Sequence, residues 1–345
     1  MSLCFSQTGP YSDPCIPGQG ASDIGLSFFG VPVAVRVNSE RTFEAVVAAF
    51  HCFVSRDDLG WPAEPSNTDP LASQSADFAF FEVKDDAAGD KVVLRYPSGP
   101  YFSAPDVTAL IPSLMGIVTQ HVCSHVSDLI FVHSASLSID DKGILLVGES
   151  GAGKTTLALA LSTSGAQFLS DEFGAVELSS GRLYPFPRAV LPREDAADLL
   201  GLSTSSSLSF WDSDSYRFVL DPAAEDNCIA VGRDSPIGSV FFLEGPPGEP
   251  SIKPCDKANA LEGLTYGCPT LRGIPMERRE ELLDLFYSII SQADCWSLRS
   301  GPLPDTVALV HKAVSAQPAC RDVALGGLDR VYEKAKLKLQ RMRSG

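Results

Sequence analysis

Residues 28–37 form a β-branched and aromatic run that predicts a strand. Residues 41–53 place apolar side chains at 43, 46, 47, 50 and 53, the spacing of one helical face. A polar, proline-containing stretch over 55–76 separates this pair from two strand-like runs at 78–83 and 91–96, which read as a hairpin. Pro105 then opens a predicted helix that runs to about residue 126. Together these elements predict a small α+β N-terminal domain over 23–126. The preceding 1–22 are rich in Gly, Pro, Ser and Asp without periodicity, and read as a flexible leader.

The texture changes after residue 127. Short apolar runs at 129–133 and 143–147, joined through a turn at 141–143, have the pattern of buried strands. Strand-like runs at 239–243 and 295–298, with helical patterns at 256–265, 277–292 and 305–315, extend this into an α/β body over 127–320. Inside it, 203–215 is rich in serine and carries Trp211, Asp212 and Asp214; it reads as a polar connection able to close as a lid. The tail, 321–345, contains an amphipathic helix with apolar positions at 328, 331, 335, 339 and 342 and six Lys or Arg within 328–343. Docking on the acidic body with its charges in water is the expectation for this basic C-terminal helix; a membrane or anionic partner is the alternative.

Composition narrows the class. The 345 residues are 44% hydrophobic and 20% charged, too apolar for a disordered chain. The net charge of −16 repels a phosphate backbone, so nucleic acid is not an expected partner. The pattern shows no apolar stretch near the ~18 residues needed to span a bilayer, so no integral membrane contact is expected. The first ten residues lack a basic segment followed by an apolar one, which predicts a cytoplasmic location. Nine cysteines, at 4, 15, 52, 123, 228, 255, 268, 295 and 320, include no C-x-x-C pair and read as reduced packing thiols.

The chemistry concentrates in one segment. Gly148, Glu149, Ser150, Gly151, Ala152, Gly153, Lys154 and Thr155 fit G-x-x-x-x-G-K-[ST] at every fixed position, after a predicted strand and before the helical pattern 156–161. Glycines let such a loop turn its N–H groups around a phosphate, and the following helix adds its positive end. Lys154 can reach the outer phosphates, and Thr155, followed by Thr156, offers a hydroxyl to Mg²⁺.

Gly165 ends the helix, and a strand over 167–169 leads to Asp171 and Glu172, with only sixteen residues between Lys154 and Asp171. A strand–helix–strand crossover then brings both acids to the end of a strand beside the phosphate loop. Strand alternation sends the two in different directions. The reading assigns Asp171 to the metal side and Glu172 to proton acceptance from an attacking hydroxyl. His133, fifteen residues before Gly148, sits near the end of the preceding strand. Arg188 and Arg193 follow a predicted hairpin and can meet phosphate or carboxylate bidentately.

From about 128 to 193 the chain resembles the HPr kinase/phosphorylase family and, more closely, bacterial HPr-kinase-like proteins. The residues that carry the resemblance are FVHS at 131–134, GESGAGKTT at 148–156, Gly165 with FLSDE at 168–172, and GRLYPFPR at 181–188. The resemblance implies an α/β fold whose P-loop domain is like that of phosphoenolpyruvate carboxykinase, joined to the smaller N-terminal domain. It implies ATP and Mg²⁺ as cofactors and phosphorylation of a hydroxyl. Carried over, His133 and Lys154 are active-site residues, Thr155 binds the metal and Glu172 takes the place of the family's proton-accepting Asp; with Asp171 on the metal side, the expected catalytic set is His133, Lys154, Asp171 and Glu172, and the expected metal ligands are Thr155 and Asp171. The family's L-E-I-R-G-x-G segment is absent, with Glu194 nearest its position, and the basic loop of phosphorolysis is not recognisable.

The expected activity is therefore Mg-ATP-dependent transfer of the γ-phosphoryl group to a seryl, peptide or small-molecule alcohol, with a homo-oligomer possible. A non-catalytic ATP-binding regulatory module is the alternative. A GTPase or transport ATPase is disfavoured because N-K-x-D and L-S-G-G-Q are missing.

Overall fold

The computed structural model describes residues 22–55, 79–85, 91–95, 102–202, 208–212, 215–224, 229–245, 247–266, 276–316 and 325–344. The expected leader, apart from Ser22, and nearly all of the 55–76 stretch lie outside them. The chain divides into two units, Met1–Val126 with Thr204–Asp221, and Ser127–Ser203 with Pro222–Gly345.

In the first unit, β1 (Ser22–Phe28) and β2 (Val31–Val37) form a hairpin closed by Phe29 and Gly30, at φ 51° and 84°. Two consecutive left-handed residues make a turn whose twist matches the strands. The run 28–37, expected as one strand, therefore contains the turn, which a bulky residue at its first position conceals. Helix α1 (Glu40–Phe50) starts at Ser39, whose hydroxyl accepts from the Thr42 N–H at 3.3 Å. β3 (Ala79–Asp85), β4 (Val92–Arg95) and β5 (Phe102–Ala104) complete a sheet ordered β1-β2-β3-β4-β5, in which β2 and β3 run parallel.

Helix α2 (Val107–His125) is capped by Asp106, which accepts from the Ala109 N–H at 3.0 Å. It is long and apolar enough by length and composition to cross a membrane, contrary to the sequence expectation. Thr108, Thr119 and His121 break its apolar run without lowering its mean hydropathy below that of a span. Half of its most apolar window is buried inside the protein, with Leu110, Ile111, Leu114 and Val118 in the core.

The second unit opens with β6 (Leu129–Ile139) and β7 (Lys142–Val147), an antiparallel pair turned by Asp140 and Asp141 at φ 50° and 59°. The first strand runs six residues beyond the expected 133, because Ser134, Ser136 and Ser138 are buried rather than facing water. There follow α3 (Lys154–Thr163), β8 (Gln167–Ser170), β9 (Phe173–Glu177), β10 (Arg182–Tyr184) and α4 (Glu194–Leu200). β11 (Leu208–Asp212) and β12 (Ser215–Val219) pair antiparallel and belong to the first unit. The serine-rich run expected as a connection is thus regular hairpin at 208–212, with Phe210 buried. Residues 203–207 and 213–214 lie outside the described ones.

The chain closes with β13 (Ser235–Leu243), β14 (Ser251–Pro254), α5 (Lys257–Tyr266), α6 (Met276–Gln292), β15 (Asp294–Arg299), α7 (Leu303–Ser315) and α8 (Leu325–Ser344). The large sheet has the order β10-β9-β6-β7-β13-β15-β14, with β8 also on β6 and β10 also on β13. Its β7, β13 and β15 are parallel, as a crossover architecture requires. β7 sends Leu145 and Val147 into one core with α5 and α6 side chains, and Ile144 and Leu146 into another with α3 and α7 side chains. Both sheet faces are covered, so its strands read as continuous apolar runs. α8 lays Leu328, Val331, Tyr332, Ala335 and Leu339 on the first core, and Tyr332 donates to Asp284 at 2.6 Å. The result is a mixed α/β protein with several sheets.

Candidate functional site: a phosphate loop with buried charges

β7 delivers the chain to the loop at Gly148. A Cβ there would lie 3.2 Å from the Cβ atoms of Ala152 and Leu243, so glycine lets the loop lie close against β13 without crowding them. Gly151 and Gly153 sit at φ 80° and 88°, and the Ala152 N–H donates to the Glu149 carbonyl at 3.2 Å. Gly153 is the N-cap of α3 and makes no side-chain cap, so it does not itself compete with an anion for the first amides of the helix. Thr155 and Thr156 are half-buried in that first turn, while Glu149 and Ser150 are exposed.

Lys154 is only 7% exposed. Its Nζ donates to the carbonyls of Gly148 at 2.8 Å and Glu149 at 2.9 Å. The loop thus folds around its own cation. Burial pulls the Lys154 ammonium below its ordinary value, and the Asp171 charge partly restores it.

Asp171 and Glu172 follow the end of β8, which runs in the same direction as β7 but does not pair with it. β6 lies between β7 and β8. β8 and β9 both run antiparallel to β6, the first against 136–138 and the second against 129–133. Asp171 and Glu172 are the interruption between them. Two hydrogen bonds fix the kink: the Ser134 N–H donates to the Glu172 carbonyl at 3.1 Å, and the Ser170 hydroxyl accepts from the Phe173 N–H at 3.2 Å.

The acids differ in environment. Asp171 is buried, and its Oδ1 has no hydrogen-bond partner. Burial raises its pKa; the charge of Arg188, a backbone hydrogen bond and the charge of Lys154 oppose that rise. The Glu172 side chain is 41% exposed and forms an ion pair with Arg188.

Arg188 is buried, with its guanidinium 5.6 Å from the centre of the Phe173 ring. The Phe186 N–H donates to the Leu169 carbonyl at 2.8 Å and the Arg188 N–H to the Phe186 carbonyl at 3.0 Å, which ties this segment to β8. His133 is opposite Phe173 across β6 and β9, its ring 6.2 Å from the phenyl ring. Burial, then the charges of Lys154 and Arg188, lower the His133 pKa, leaving a neutral imidazole at pH 7. Arg193 and Glu194 are exposed at the start of α4, where the Arg193 carbonyl accepts from the Ala197 N–H at 3.0 Å. Neither the Glu172–Arg188 pairing nor Phe173 beneath the guanidinium is legible in the sequence, since both depend on how β8 and β9 meet β6.

Among the described residues there is no group of three or more His, Cys, Asp or Glu that could hold a metal ion. A divalent cation here would need Asp171, the Thr155 hydroxyl and oxygens from a bound phosphate. Such a hard-oxygen set, completed by the ligand, suits Mg²⁺, and the unpartnered Asp171 Oδ1 is an acceptor available to it.

No family model and no curated protein matches the chain. Among solved structures the chain is similar to the Hpr(Ser) kinase/phosphatase from Coxiella burnetii, at 15% identity and a TM-score of 0.25, over 53% of this chain and 96% of that one.

Proposed function

We propose that this protein is a Mg-ATP-dependent kinase that transfers the γ-phosphoryl group to an alcohol on a small molecule, peptide or protein. The observation that carries the reading is the GESGAGKTT loop between β7 and α3, with buried Lys154 and Asp171 coupled through their charges. A phosphate seated in the loop takes over the role of the Gly148 and Glu149 carbonyls as partner of Lys154 Nζ. The loop and helix amides hold the β-phosphate, and Lys154 spreads positive charge over the transferring group. Asp171 and Thr155 would hold Mg²⁺, which when bound neutralises phosphate charge.

Glu172, more exposed than Asp171, is the group able to meet an incoming hydroxyl and take its proton. His133, kept neutral, offers a hydrogen bond rather than a second positive charge. The acid-rich surface, with net charge −16, favours an acceptor that is not strongly anionic. The reading includes a cytoplasmic setting, and the four described cysteines, Cys52, Cys123, Cys255 and Cys295, are free thiols.

The test is release of ADP from Mg-ATP in the presence of hydroxyl acceptors, from seryl peptides to small alcohols. The kinase reading expects one acceptor class to raise ADP release well above the rate with ATP alone and to become phosphorylated. Saturable ATP binding with no acceptor-dependent ADP release would instead favour a regulatory module.

A further inference from the structure

Arg188 has no part in the kinase reading above, although the sequence marks it as able to meet a phosphate or a carboxylate. It is a cation 5% exposed, anchored by the Phe186–Leu169 backbone hydrogen bond and lying against the Phe173 ring. Burying a guanidinium is costly unless an anion compensates it. Arg188 is ion-paired to Glu172, whose side chain is 41% exposed while that of Arg188 is 6% exposed, and it also feels the charge of buried Asp171. The pair is therefore asymmetric. The arginine is held in place on all the contacts described above, and the glutamate reaches it from the solvent side on a short, rotatable side chain.

Resting on the kinase reading, we propose that Arg188 is a second cation, beside Lys154, that binds the γ-phosphate, and that Glu172 is its placeholder until that phosphate arrives. A phosphate oxygen pair matches the planar fork of a guanidinium as a carboxylate does, and carries more charge. Exchange of one anion for the other keeps Arg188 compensated throughout. It also frees the Glu172 carboxylate, which can then turn to the acceptor hydroxyl. Base and phosphate clamp are thus coupled: the proton acceptor becomes available only when the group to be transferred is in place. ADP, without a γ-phosphate, leaves the Glu172–Arg188 pair closed.

The charge of Arg188 is also felt by both His133 and Asp171, which puts it within electrostatic range of the phosphate-loop side of the site. A structural arginine that merely pinned the kink at 171–172 would have no reason to distinguish two nucleotides. That difference is the basis of the test.

Calorimetric titration of the full chain with Mg²⁺ and either ADP or a β,γ-imido ATP analogue separates the cases. Arg188→Gln is expected to weaken the analogue by about tenfold or more, as loss of a bidentate charged contact does, with ADP changed by less than about twofold. Glu172→Gln removes the competing anion, and is expected to strengthen the analogue by roughly two- to fivefold without changing ADP. The opposite signs of the two variants are the signature. Equal weakening of both nucleotides by Arg188→Gln, or weakening of the analogue by Glu172→Gln, would overturn the proposal. If Arg188→Gln fails to fold, Glu172→Gln alone still decides by its sign. Failure of wild-type protein to bind either nucleotide would instead contradict the kinase reading itself.

Discussion

The backbone N–H of Ser134 donates to the carbonyl of Glu172 at 3.1 Å, so the acidic pair is pinned to the middle of β6, not hung from a loop. Because β6 also pairs with β7, which feeds the phosphate loop, the acids and Lys154 share one rigid support. Reacting groups held this way lose little geometry to thermal motion.

That support gives the first prediction. Glu172→Gln preserves shape but cannot accept a proton, so phosphoryl transfer should fall by about 10²-fold or more while Mg-nucleotide binding survives. Single-turnover ADP formation beside calorimetry checks it; full turnover in the variant would remove Glu172 as the base.

Asp171→Asn should uncouple stability from function. Burial raises the Asp171 pKa in the folded state, so its charged form costs stability at neutral pH; that cost shrinks as pH falls through the raised folded-state value and is gone once pH is below the ordinary carboxylate value. The amide should raise the melting temperature at pH 7 to 8, with the gain shrinking on acidification. The same variant should weaken the Mg²⁺-dependent part of nucleotide binding. A lower melting temperature at neutral pH would show that the carboxylate is compensated better than its burial implies.

Gly174 tests the tightness of the sheet beneath the site. A Cβ there would fall 2.7 Å from the Ser134 hydroxyl and 2.8 Å from a Leu145 methyl. Gly174→Ala should therefore cost about 1–3 kcal/mol by overpacking, read as a lower denaturant midpoint. An unchanged midpoint would mean that β9 can move away from β6.

The first unit should be acid-sensitive. His121 lies against His125 with ring centres 4.0 Å apart, its Nε2 is buried without a hydrogen-bond partner, and burial followed by the His125 charge lowers its pKa to about 4. The unfolded chain binds the proton near the ordinary value, so stability is complete above it and declines as pH falls from there toward 4. His121→Leu should flatten that decline in urea unfolding followed at pH 7 and pH 5, and a decline of unchanged slope would assign it to other groups.

Local signals were legible in the chain and non-local ones were not. The phosphate loop could be read because glycine spacing and the flanking strand and helix lie within about twenty residues, and Gly165, at φ 106°, ends α3 where the sequence places the stop. The extension of β6 was hidden because Ser134, Ser136 and Ser138 look like a polar exit, although all three are buried. The β1–β2 turn was hidden by Phe29, and the β11–β12 hairpin by its serines. That β8 pairs with β6 rather than with β7 is a choice of strand order that no local pattern encodes. The burial of Lys154 and the hold of Arg188 on Glu172 follow from that order.

Titration of the full chain with Mg-ATP by calorimetry, wild type against Lys154→Ala, tests the central claim most directly. The wild type should bind saturably at a single site, and the variant, still unfolding cooperatively, should show no binding, because the loop has lost the cation that meets the phosphates. Equal binding by both proteins would contradict the assignment of the phosphate loop as the nucleotide site.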